Sequence, residues 1–67
     1  MKNWKPQYKE TVYCIVNDTI KVEVVASGLS MSSALRLLSD GLLFPTFDDA
    51  KEYLRKAHEV EEQERHL

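Results

Sequence analysis

The sequence predicts a small α+β domain of element order β-β-α-β-α, in which a hairpin and a short third edge strand carry two helices packed on one face. Three observations predict it. Two runs rich in β-branched and aromatic residues, 11–16 and 19–25, are separated by the turn pair Asn17-Asp18. Two later stretches repeat apolar residues at helical spacing. With 67 residues, 43% of them hydrophobic, the chain has room for one core and no second domain.

The hairpin comes first. A two-residue loop pairs Val16 with Thr19, Ile15 with Ile20, Cys14 with Lys21, Tyr13 with Val22, Val12 with Glu23 and Thr11 with Val24. One face then carries Tyr13, Ile15, Ile20, Val22 and Val24. The other carries Val12, Cys14, Val16, Lys21, Glu23 and Val25, which is more apolar than a solvated face needs to be.

Ala26-Ser27-Gly28 ends the hairpin, and Ser30 is a good N-cap for a helix from Met31 to Asp40, which Gly41 stops. Met31, Ala34, Leu35 and Leu38, with Leu37 beside them, form its apolar stripe, and Leu29 can staple against Ala34. Leu42-Leu43-Phe44, ended by Pro45, is too short for a helix and fits a third, edge strand in the sheet order 2-1-3. Thr46 and Asp49 open the second helix in a capping-box-like arrangement. Phe47, Ala50, Tyr53, Leu54, Ala57 and Val60 form its stripe. Beyond Val60 the polar composition offers helix propensity with little to pack, so the helix is expected to fray. The expected organisation is a flexible basic and aromatic arm over 1–10, one domain over 11–62 and a charged, frayed tail over 63–67. The expected core is Tyr13, Ile15, Ile20, Val22, Val24, Leu35, Leu38, Phe47, Ala50, Leu54 and Ala57.

Cys14 is the single cysteine, so no disulfide forms within one chain, and a lone thiol suits a reducing, cytoplasmic setting. No run approaches the roughly 18 apolar residues of a membrane span, and residues 1–9 lack the apolar stretch of a signal peptide. The net charge of −2 is unevenly placed, since residues 48–67 hold seven acids against four bases. That acidic end argues against nucleic-acid binding by the second half.

His58, Glu62 and His66 stand at i, i+4 and i+8, but a helical ridge does not converge as tetrahedral zinc requires, so no metal and no cofactor is expected. Cys14 has no base beside it in this register and reads as a small hydrophobe. Asp48-Asp49 and Glu61-Glu62 are adjacent and point about 100° apart on a helix, which rules out a shared-substrate carboxylate pair. With no phosphate loop and no Ser-His-Asp set, catalysis is not expected.

The expected function is that of a non-enzymatic interaction module, an accessory or regulatory protein acting by protein–protein contact. Its contact residues would be Trp4 and the uncovered sheet face Val12, Cys14, Val16 and Val25, docking a protein partner or a second copy, most simply as a homodimer. Small size and an acidic second helix also suit an inhibitor encoded by a virus or mobile element. The alternative is weak nucleic-acid binding by the arm, where Lys2, Trp4, Lys5, Tyr8 and Lys9 interleave cations with aromatics.

Overall fold

Asn17 and Asp18 both take left-handed backbone angles, with φ of 51° and 61°. This is the geometry of a two-residue turn that matches the twist of the flanking strands, and Asn and Asp tolerate it better than most residues. In the computed structural model, which describes residues 4–65 and side chains as far as His58, the turn joins β1 (Thr11–Val16) to β2 (Thr19–Val24). The register is the one that the turn length dictates, from Val16↔Thr19 to Thr11↔Val24. β3 (Leu43–Phe44) pairs antiparallel with β1 through Tyr13↔Phe44 and Cys14↔Leu43, giving the order β2-β1-β3.

α1 (Met31–Ser39) starts where the Ser30 hydroxyl accepts a hydrogen bond from the Ser33 N–H. It ends in a left-handed Gly41 (φ +76°), with the Gly41 N–H donating to Leu38 O at 3.0 Å and the Leu42 N–H to Leu37 O at 2.9 Å. That pair of bonds is a Schellman cap, which turns the chain sharply into β3. α2 (Phe47–Arg65) starts where the Asp49 N–H donates to the Thr46 hydroxyl at 3.2 Å. Asp48 and Asp49 in its first turn favour the positive end of the helix dipole. The helix runs past the boundary expected at 62, while residues 66 and 67 of the expected tail lie outside the described residues.

The α+β class and the element order are as the sequence predicts, but the two helices do not share a face. Val12, Cys14 and Val25 form one buried cluster with Ala34 of α1 and Leu43 of β3, and Trp4, Leu29, Met31, Leu37 and Leu38 pack against it. On the opposite face, Phe47 of α2 meets Tyr13 edge-on at 6.0 Å, and Tyr53 meets Phe44 at 5.6 Å. The sheet is therefore sandwiched between α1 and α2. The turn after β2 decides this. The Leu29 N–H donates to Val24 O at 3.3 Å, and the Ala26 N–H to Leu29 O at 2.7 Å, so the chain is held against Val25 and Leu29 and Met31 reach the Val12 side. Ala34, fully buried, has a side chain small enough to let α1 approach closely. Leu43 and Phe44 are neighbours in β3 and serve one face each.

The core shifts accordingly. Ile15 and Ala50 are buried as expected, whereas Val22, Leu35 and Phe47 are exposed. Leu35 falls outside the contact stripe because α1 is rotated to place Ala34 at its centre. The expected free arm is also corrected for residues 4–10. Pro6 is buried, the Lys9 N–H donates to Val25 O at 2.9 Å, and the Val25 N–H donates to Glu10 O at 3.0 Å. The Glu10 carboxylate accepts from Trp4 Nε1 at 3.3 Å and from the Gln7 N–H at 2.8 Å, closing the segment over the core.

Candidate interaction surface

The contact face expected from the sequence is interior. Val12 and Val25 are 0% exposed and Cys14 is 2% exposed, all beneath α1, and Trp4 lies half-buried against them. Val16 keeps an exposed side chain at the hairpin end, apart from the others. The physical reason is the apolar excess that marked this face: an uncovered row of valines is covered by the nearest helix before any partner arrives. Burial, and secondarily Glu23, pushes the Cys14 thiol up from its ordinary 9.0 against an opposing pull from Lys21, and Sγ donates to Lys21 O at 3.4 Å. A thiol so placed is a poor nucleophile.

The alternative nucleic-acid set is dispersed. Trp4 turns its ring inward, which leaves Tyr8 as the exposed aromatic, with Lys9 Nζ 5.6 Å from its ring centre and Lys5 also exposed. Lys2 lies outside the described residues. Of the helical triad, His58 is exposed, and the side chains of Glu62 and His66 lie outside the described residues. Among the described residues no three His, Cys, Asp or Glu side chains gather as metal ligands, and no described helix is long and apolar enough to cross a membrane.

The most exposed large apolar side chain of the sheet is Val22 of β2, which faces the α2 side. α2 runs across all three strands of the sheet. The aromatic contacts of α2 fall on β1 and β3. In β2, Val22 is nonetheless 56% exposed between the half-buried Ile20 and Val24. On the same side of the sheet Phe47 is 46% exposed, with Lys51 Nζ 6.0 Å from its ring centre. On the opposite side Lys21 and Glu23 form an ion pair at 3.4 Å.

β2 also has an open edge, because among the described residues β1 is the only strand beside it. The Ile15 N–H donates to Leu42 O at 3.0 Å, so odd residues of β1 direct their backbone toward β3 and even residues toward β2. In the observed register, Thr19, Lys21 and Glu23 therefore bond inward, while the N–H and C=O groups of Ile20 and Val22 point outward. Val24 points outward too, but its carbonyl already accepts from the N–H groups of Ser27 (3.0 Å) and Leu29 (3.3 Å). Gly28 stands so close that a Cβ there would lie 3.0 Å from Glu23 Oε1. The loop thus closes the Val24 end of the edge and leaves the Ile20–Val22 stretch open.

Where α2 packs beside β3, Phe44, Asp49, Glu52, Tyr53 and Lys56 line a shallow groove of about 290 Å³. Its Glu52 carboxylate is held below the usual range by a hydrogen bond from Arg55, and Lys56 Nζ is 4.0 Å away. In comparison with known proteins, the chain matches no family model, no curated protein and no solved structure. The sequence carried one overlooked signal for the β2 surface: Ile20, Val22 and Val24 form one apolar row along an outer strand.

Proposed function

We propose that this chain is a non-enzymatic interaction module, acting by protein–protein contact through the open side of β2. Val22 carries this conclusion. It is an apolar side chain, 56% exposed, in an edge strand where the outward backbone groups of Ile20 and Val22 have no protein partner among the described residues. Half-buried Ile20 and Val24 extend the apolar row, and Phe47 adds a partly exposed ring on the same face. An exposed edge with an apolar face is the feature that proteins usually blunt, and contact with a partner covers it. The buried, unactivated Cys14 thiol fits a role without nucleophilic chemistry.

Site-specific photo-crosslinking tests this. A benzoylphenylalanine placed at Val22 should give a discrete protein adduct in extract from the native host, and the same probe at Ser32, exposed on α1, should not. Identical adducts from both positions, or none from Val22, would overturn the assignment.

A further inference from the structure

We infer that the open edge of β2 takes an extended segment of another polypeptide as an added antiparallel strand, and that it selects a basic-apolar-acidic-apolar order in that segment. The inference rests on the interaction-module reading and specifies its partner. The N–H and C=O groups of Ile20 and Val22 point outward along an open strand edge. A chain with donors and acceptors at the same repeat replaces the water on all of them together, which is the recognition used in strand addition. Antiparallel pairing is the stronger ladder per residue.

The side chains then set the order. Opposite Glu23 a cation is favoured, opposite Val22 an apolar β-branched residue, opposite Lys21 an acid, and opposite Ile20 a second apolar residue. Read from its N-terminus, the incoming strand is basic, apolar, acidic, apolar. Its apolar side chains fall on the α2 side, extending the Ile20–Val22 row, and its charges fall on the side of the Lys21–Glu23 pair.

A second copy of this chain is the poorer occupant. A two-fold centred on Val22 matches Lys21 to Glu23 but drives Ile20 and Thr19 of the second copy into the 26–29 loop, where the Val24 carbonyl is already taken twice. Centring on Lys21 sets two ammonium groups opposite each other. Centring on Ile20 brings the turn residue Asp18, with φ of 61°, opposite Val22, where an extended residue is needed. A short segment that leaves the sheet beside Glu23 avoids all three.

The test uses two capped tetrapeptides of one composition, acetyl-Lys-Val-Glu-Val-amide and acetyl-Glu-Val-Lys-Val-amide, titrated to millimolar concentration into the ¹⁵N-labelled chain. The first should shift the Ile20 and Val22 amides and slow their exchange, binding about five- to ten-fold more tightly than the second. Val22→Pro removes only an outward N–H and should abolish the effect. Should that variant fold poorly, the doubly swapped Lys21→Glu, Glu23→Lys chain should reverse the peptide preference. Equal binding of both peptides, no response at Ile20 and Val22, or an unreversed preference overturns the inference. So does a dimer in sedimentation that Val22→Pro dissociates, because a second copy then fills the edge. Crosslinking at Val22 with no peptide response would leave the interaction module standing and remove strand addition alone.

Discussion

Val12 and Val22 lie in neighbouring strands of one hairpin and face opposite sides of it, one 0% and the other 56% exposed. Replacing each by Thr keeps the shape and β-branching and adds one hydroxyl. At Val12 that hydroxyl enters the cluster of Cys14, Val25, Ala34 and Leu43, all apolar or sulfur-bearing, so it is desolvated at a cost of about 1–3 kcal/mol. At Val22 it meets water, and the change should stay within about 0.5 kcal/mol. A chain of this length has a total stability of roughly 3–10 kcal/mol, so Val12→Thr removes a substantial share. The matching drop in Tm is about 5–20 °C. Urea unfolding followed by Trp4 fluorescence and far-ultraviolet circular dichroism measures both variants on one scale. Equal losses, or a larger loss at Val22, would show that α1 does not cover the Val12 face and would refute the layer assignment.

Ala26 sits at φ 66°, a conformation costly for a residue with a Cβ, so Ala26→Gly should stabilise the chain by up to about 1 kcal/mol; an unchanged or lower urea midpoint would count against that geometry. Gly41 closes α1 at φ +76°, and Gly41→Ala should cost about 1 kcal/mol in the same assay although open space surrounds the new methyl; no loss would argue against the left-handed cap. Cys14 should react with a thiol reagent only after denaturation, and rapid labelling of the native chain at neutral pH would contradict its burial. The Cys14 thiol is raised above its ordinary 9.0, so the folded state favours the protonated form. Stability is then fully present below about pH 9 and declines as pH rises toward the folded value, a slope that Cys14→Ala should reduce.

The hairpin was legible because a two-residue loop leaves a single register, and the helices because Ser30, Gly41 and Thr46 act through local hydrogen bonds that sequence spacing determines. The layer arrangement was not. Both hairpin faces carry apolar residues, so periodicity alone does not say which of them a helix covers. The excess on the Val12 face pointed to a missing partner when it marked the seat of α1. The small side chain of Ala34 helps to set the phase of that helix, which leaves Leu35 outside. Trp4 and Glu10, six positions apart in a stretch without periodicity, gave no pattern for the bond that joins them. The open β2 edge depends on the strand order and on where the 26–29 loop folds, both of which are tertiary facts.

Amide hydrogen exchange of the free chain along β2 reads the open edge residue by residue. The N–H groups of Lys21 and Glu23 bond to β1, whereas those of Ile20 and Val22 point away from it. Protection should alternate, with Ile20 and Val22 exchanging much faster than Lys21 and Glu23. Uniform protection across these four residues would mean that the edge is already paired, and would contradict a free surface on β2.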